Sequence, residues 1–256
     1  MLLPLLLLIL LLTPLLLIYR PPLILIRYLQ HRHPDTLWHI PASSLPPGSQ
    51  KTIALTIDDS PSAHTPAILS TLLENHATAT FFLIGSQTPQ QEPLLRDLVS
   101  NGMELANHAM RDEPSKDLSR GVLEAQIGFV DGVIERVYRD LGRERTGKWF
   151  RPGSGFYTRW MRELCRGLGY RVVLGSVYPH DAQVRWSALN AWHVESLVTG
   201  GSVVVVHDRR GWTVPMLRRL LPRLRERGFR VVSLGELVEL GGRVVDGAGE
   251  GEGEGM

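Results

Sequence analysis

The chain is poor in sulfur, in one-sided charge and in glycosylation signals. Cys165 is its only cysteine, so no internal disulfide can form. That excludes a disulfide-stapled scaffold and leaves the redox compartment open. None of Asn75, Asn101, Asn107 or Asn190 begins an N-x-[ST] acceptor. Lys and Arg number 28 against 26 Asp and Glu, a net charge of +2. The densest basic run, Arg218, Arg219, Arg223, Arg225 and Arg227, interleaves with Leu217, Leu220, Leu221 and Leu224. That is the solvated face of an amphipathic helix, so no nucleic-acid partner is expected. No Gly-rich phosphate loop follows the first strand-like segment, which weighs against a nucleotide-binding α/β fold. Internal repeats are absent too.

Charge is also missing from residues 2–18, "LLPLLLLILLLTPLLLI". Such a run is about long enough to cross a bilayer. It has no basic residue before it and no small-residue cleavage site after it, so it reads as an anchor rather than a cleaved leader. Pro4 and Pro14 would kink a membrane helix without forbidding it. The short "LILI" at 23–26 cannot span and suits the interface. The expectation is a single-pass, N-terminally anchored protein. Arg20, Arg27 and Arg32 after the run favour a cytoplasmic globular part by the positive-inside rule. The side of the membrane stays open. At the other end, "GGRVVDGAGEGEGEGM" is a Gly/Glu tail expected to be disordered. The expected organisation is an anchor at 1–28, a linker at 29–50, a catalytic domain at 51–241 and a tail at 242–256.

What remains is a regular alternation of strand and helix signals. Strand-like runs are "TIALTID" (52–58), "ATATFFLIG" (77–85), "MELA" (103–106), "KWFRPG" (148–153), "YRVVLGS" (170–176), "SVVVVHD" (202–208) and "FRVVSL" (229–234). Helix signals lie between them, so the pattern predicts βαβ units and a mainly parallel sheet. Six or seven such units suit an α/β fold of the distorted (β/α) barrel type, with about seven strands. In a barrel, chemistry collects at the C-terminal ends of the strands.

Those ends are rich in chemistry. The first strand ends in Asp58-Asp59-Ser60-Pro61. Alone this is a common turn or helix cap. The third leads to His108, with Asp112 four residues on; on a helical turn the two would face the same way and can share a metal ion. After the fourth comes Arg151, after the fifth His180 and Asp181, and the sixth ends in His207-Asp208. Acids, histidines and an arginine at the ends of successive strands are the pattern of an active site.

In this order the motifs resemble the polysaccharide deacetylases, carbohydrate esterase family four, over about residues 51–235. "LTIDDSPS" resembles the family's Thr-Phe-Asp-Asp-Gly-Pro, and "NHAMRDEPSKDLS" its His-[Ser/Thr]-x-x-His. "FRPGSGFY" resembles Arg-x-Pro-[Tyr/Trp], "VLGSVYPHDA" the motif ending in Asp-Trp, and "VVVVHD" the motif Leu-x-His. The resemblance implies a hydrolase that removes acetyl groups from N-acetylated sugars with one divalent metal, zinc in the family. It implies Asp58 as general base, Asp59 and His108 as metal ligands, and Arg151 as the group that orients Asp58. His207 would be the general acid, Asp181 its partner, and the backbone N–H near Ser154 an oxyanion donor. Asp112 stands where the family has its second metal histidine. A set of two carboxylates and one imidazole lets manganese, iron or cobalt compete with zinc. Ser60 replaces a glycine, "GSG" an aromatic and Ala182 a tryptophan. The lost aromatics open two alternatives: a deacylase for a small N-acyl molecule, or a non-catalytic carbohydrate-binding protein on the same fold.

Overall fold

The structure, a computed structural model, describes residues 2–247, with the side chains of 2–9, 15 and 243–247 excepted. In chain order the elements are α1 (Leu2–Tyr19), α2 (Leu23–Arg32), β1 (Thr36–Leu37), β2 (Thr52–Ser60), α3 (Thr65–Glu74), β3 (Thr80–Leu83), α4 (Glu92–Ser100), β4 (Glu104–Asn107), α5 (Arg120–Asp140), β5 (Trp149–Phe150), α6 (Arg159–Gly167), β6 (Arg171–Val173), α7 (Ser187–Leu197), β7 (Val203–His207), α8 (Thr213–Glu226), β8 (Arg230–Val232) and α9 (Leu234–Gly247). The strands form one parallel sheet in the order β1-β6-β5-β4-β3-β2-β7, with β8 also paired to β2. The sheet curls into the expected distorted (β/α) barrel.

Period-two alternation explains both cores. On β2, Ile53, Leu55 and Ile57 join a cluster with helix residues such as Leu69, Leu98, Ile134 and Leu217. Ala54 belongs instead to a second cluster with Phe82, Ala106, Trp149, Val173 and Val203, one inward residue from each successive strand. Continuing each inward row in steps of two residues reaches the ends of the strands. Ala54 leads through Thr56 to Asp58, Ala106 to His108, Trp149 to Arg151, and Val203 through Val205 to His207. The barrel interior is thus apolar at its middle and ionisable at one rim. At the opposite end the buried Glu104 carboxylate accepts from Thr80 Oγ1 (2.5 Å), Trp149 Nε1 (2.7 Å), Gly235 N (2.9 Å) and the Thr146 hydroxyl.

Three expectations change. First, residues 29–50 are more than a linker. β1 pairs with β6, and Leu37, Ile40 and Leu45 enter the inner core. His39 then bridges Ser202 just before β7, so this segment spans the gap between the sheet's two edges. The fit is close: Ile40 N donates to Gly201 O (2.9 Å), and a Cβ on Gly201, at φ +82°, would lie 1.6 Å from Ile40 O. A two-residue strand carries no periodicity for a sequence reading to find. Second, α9 runs past residue 241 into the stretch expected to be tail, with Leu237 buried on Ile40 and its neighbours. Residues 248–256 of that tail lie outside the described residues. Third, among the described residues no single helix is long and apolar enough to cross a membrane. Leu10–Tyr19 and Leu23–Arg32 form a pair bent by 72° instead. Pro21 and Pro22 lie at the break, and proline excludes the preceding residue from helix as well as lacking its own N–H.

If residues 36–40 are held against β7 by backbone contact, Gly201→Ala meets both a left-handed backbone and the Ile40 carbonyl. Denaturant unfolding should show a loss of at least about 2 kcal/mol. A loss under about 0.5 kcal/mol would mean that the segment is not clamped there.

Candidate active site

The rim is organised by an irregularity in β2. Ile57 pairs with Phe81 and Ser60 with Leu83, so β2 uses an extra residue against β3. Asp59 has φ +63°, a left-handed backbone that aspartate tolerates better than most residues. Such a bulge re-aims side chains. It lets the neighbours Asp58 and Asp59, 3% and 0% exposed, serve one site, where a regular strand would send them to opposite faces. Asp208 braces the turn that follows. Its carboxylate accepts from Ser60 Oγ (3.2 Å), Ser62 Oγ (2.6 Å) and the Thr65 hydroxyl. The hydroxyl of Ser60, where the family has glycine, is absorbed in this brace.

Asp58 is held by Arg151. Arg151 Nη1 donates to Asp58 Oδ1 (2.5 Å) and Thr56 Oγ1 (2.9 Å), Nη2 to Leu174 O (2.7 Å), and Nε to Val173 O (3.3 Å). The guanidinium also lies over the Phe82 ring, 4.1 Å from its centroid. Burial alone would raise the Asp58 pKa. The Arg151 charge, helped by His108, His207 and the hydrogen bond, overrides it and holds the carboxyl below the usual carboxylate range. Asp58 is therefore ionised, with Oδ2 outside the arginine contact.

His207 is next to Asp58 across the β2–β7 pairing. Asp181 grips it twice: Oδ2 accepts from the backbone N–H (2.7 Å) and Oδ1 from Nδ1 (2.9 Å). Burial pulls the imidazole pKa down. The hydrogen bond and charge of Asp181, with Asp58 and Asp59 behind them, win and push it up to about 9. Nδ1 is thus a donor and Nε2 carries the second proton.

Asp59, His108 and Asp112 converge so that one donor atom of each lies within 4.8 Å of the others. His108 Nδ1 lies 2.7 Å from Arg151 O. A carbonyl only accepts, so Nδ1 holds the proton and Nε2 presents a lone pair. Nε2 lies 3.9 Å from Asp59 Oδ1, a buried oxygen without any hydrogen-bond donor. Burial raises the Asp59 pKa, opposed by His108 and His207 and assisted by Asp112 and Asp58. An orphaned carboxylate oxygen, an imidazole lone pair and an exposed carboxylate fit one divalent cation. The helical-turn geometry expected for His108 and Asp112 is corrected. Residues 108–113 form no helix, and Ala109 at φ +59° turns the chain. Asn107 Oδ1 accepts from Ala109 N (2.9 Å) and fixes that turn.

All seven expected residues, Asp58, Asp59, His108, Asp112, Arg151, Asp181 and His207, meet at this rim. A cavity of about 570 Å³ opens over it, walled in part by Ser154, Ala182, Trp38, Tyr178 and Arg210. The last three escaped the sequence reading. Arg210 Nη2 lies 3.5 Å from Asp59 Oδ2. Only its position two residues beyond His207-Asp208 hinted at it. Tyr178 sits inside "VLGSVYPHDA", and its ring meets that of His207 edge-on at 5.7 Å. Trp38 lies in the stretch taken for a linker.

A family model described as polysaccharide deacetylase matches residues 46–173. A peptidoglycan-N-acetylglucosamine deacetylase of Bacillus cereus is 31% identical over 198 residues, 75% of this chain and 90% of the relative. Among solved structures, the peptidoglycan deacetylase PdaC of Bacillus subtilis superposes with a TM-score of 0.69 at 26% identity, over 77% of this chain and 95% of that one. A CE4-family pseudoenzyme of Bacillus anthracis shares the fold, at a TM-score of 0.65 and 23% identity, over 73% of this chain and 65% of that one. The family model matches half of the chain and the Bacillus cereus relative is 31% identical over 75% of it: the chain belongs to the polysaccharide deacetylase family.

Proposed function

We propose that the chain is a metal-dependent amide hydrolase that removes acetyl groups from an N-acetylated sugar. One observation carries this reading. Asp58 and His207 stand side by side over the cavity, and their surroundings drive their pKa values in opposite directions. A base kept ionised beside an acid kept protonated is the pairing that amide hydrolysis needs.

Asp59, His108 and Asp112 would hold the cation, which lowers the pKa of water and polarises the amide carbonyl. Asp58 takes the proton from the attacking water at Oδ2 while Arg151 fixes Oδ1. With Gly153 N bound to Ser115 Oγ and Gly155 N to Pro152 O, the backbone N–H of Ser154 itself, at the cavity wall, is the candidate donor to the developing oxyanion. His207 passes its Nε2 proton to the departing amine nitrogen as the C–N bond breaks. Asp181 orients the ring and stabilises its charge. A second reading keeps this chemistry and exchanges the sugar for a small N-acyl molecule. Its support is that Ala182 and Ser154–Gly155 line the cavity where the family pattern has aromatics.

Acetate release from N-acetylglucosamine oligomers, lost with chelator and restored by a divalent cation, is the expected outcome. Release from small amides alone selects the second reading; metal-replete, folded protein that binds sugar without turnover overturns both. Asp59→Ala and His108→Ala should each lose bound metal in elemental analysis, and Asp112→His should move metal preference toward zinc. Metal retained in both alanine variants removes the ligand assignment, and an unmoved preference removes Asp112 from it.

His207 supplies the pH dependence. Its folded pKa lies above the ordinary value of about 6.5. Its acid form therefore survives through neutral pH and is lost as pH rises through about 9. The same shift stabilises the fold, fully below about 6.5, with the contribution lost on the way to about 9. In metal-free protein, NMR titration of His207 should give a midpoint near 9, and Asp181→Asn should bring it down toward the ordinary value. Equal midpoints in the two proteins would break the pairing.

Membrane attachment through the N-terminal segment belongs to the same proposal. Leu10, Leu11, Leu16 and Ile18 are exposed on α1, and Arg20 and Arg27 flank them. The full chain should stay in the membrane pellet through alkaline carbonate extraction; release into the supernatant refutes attachment.

A further inference from the structure

The family's expected groove aromatics are missing here, yet the cavity is not without aromatic walls. Tyr178 forms one beside His207. Trp38 forms another, and it comes from a part of the chain that precedes the residues matched by the family model.

The segment holds Trp38 firmly. Its backbone N–H and that of His39 both donate to Gln30 Oε1 on α2, at 3.0 and 2.8 Å. Immediately before it, Leu37 pairs with Val173, and Leu174 N donates to Leu37 O (2.8 Å). Immediately after it, His39 bridges Ser202. The indole also meets Tyr157 edge-on at 6.5 Å, and Tyr157 meets His33 the same way at 5.7 Å. Trp38 is thus fixed in main chain and in ring. Its indole N–H is buried with no acceptor, a cost of about 1–3 kcal/mol in the folded protein. A phenylalanine would avoid that cost in the same place, so the position is not optimised for stability alone. A large, rigid aromatic face that walls a polar cavity is a stacking surface for a ring with apolar C–H faces, which a pyranose offers.

We infer that Trp38 is a specificity-determining residue that stacks on a sugar ring of an N-acetylated oligosaccharide, replacing from the N-terminal segment the aromatics absent at "GSG" and Ala182. This rests on the deacetylase reading and deepens it. Trp38 takes no part in proton transfer. It positions the sugar, so its removal weakens substrate binding and leaves the chemical step much less affected.

The test compares wild type with Trp38→Phe, Trp38→Leu and Trp38→Ala, each metal-loaded and each checked for an intact melting transition. With an N-acetylglucosamine tetramer, Trp38→Ala and Trp38→Leu should raise KM by about tenfold or more while kcat changes less than about threefold, and Trp38→Phe should stay within about threefold of wild type in both. Calorimetric binding of the tetramer to Asp58→Asn protein, with and without Trp38→Leu, should show the same loss of affinity without turnover. Trp38→Leu keeps much of the volume without the aromatic face, so it decides the matter if Trp38→Ala does not fold. Wild-type turnover with KM and affinity equal across the variants overturns the stacking role and leaves the deacetylase reading standing. Tetramer binding that depends on Trp38, without acetate release by wild type, supports the stacking role and overturns the deacetylase reading. Failure of the wild type to bind the tetramer overturns the inference.

Discussion

Two adjacent carboxylates buried at the end of the central strand impose the demand that the rest of the rim answers. Asp58 and Asp59 are almost fully withdrawn from water. An uncompensated buried charge costs several kcal/mol, so each needs its own partner. Arg151 reaches Asp58 from β5's end, anchored on the carbonyls of Val173 and Leu174 at β6. His207 approaches from β7. Asp59 receives only Arg210 at 3.5 Å on one oxygen, and the other oxygen has no donor. That unpartnered oxygen lies at the Asp59–His108–Asp112 corner, where a divalent cation would satisfy it.

The same arrangement separates base from acid. Both groups are buried, and burial disfavours the charged form of each. What distinguishes them is the nearest partner: a guanidinium for Asp58 and a carboxylate for His207. Each partner favours ionisation of its own group, so both remain charged at neutral pH. A substrate amide arriving in this cavity would meet a deprotonated base and a protonated acid already in place, with little reorganisation needed.

Much of this was legible in the sequence because it is local. The run 52–58 is short, apolar and β-rich, which marks a strand with two acids at its end; which of its faces turns inward is a property of the folded sheet. The motif order then names the partners. His108 and Asp112 come close in space, but by another geometry than their spacing suggests. Four-residue spacing suggested a helical turn, whereas a left-handed Ala109 and its Asn107 bond bring them together. Arg210 gives only the weak signal of its place after His207-Asp208, since such an arginine looks like any surface one until Asp59 is found beside it. α9 was hidden by composition: Gly241 and Gly242 read as tail, while Gly241 is buried, and a Cβ there would lie 2.9 Å from Ile40 Cγ2.

That last contact points back to the N-terminal segment, where the boundary of the catalytic unit has to move. A domain beginning at residue 51 would lack β1, the His39–Ser202 bridge and the apolar contacts of Leu37, Ile40 and Leu45. It would lack Trp38 as well. Nor does the connection stop at β1. Gln30 on α2 ties down the backbone of Trp38 and His39, and Tyr19 at the end of α1 stacks on His180 at 4.8 Å. His180 in turn lies 4.5 Å from the ring of Tyr178, which meets the ring of His207. The end of α1, α2, the closing strand and the wall of the cavity are therefore in packed contact through Tyr19 and Gln30. Whatever fixes α1 and α2 in place also bears on the side of the cavity where Trp38 and Tyr178 stand.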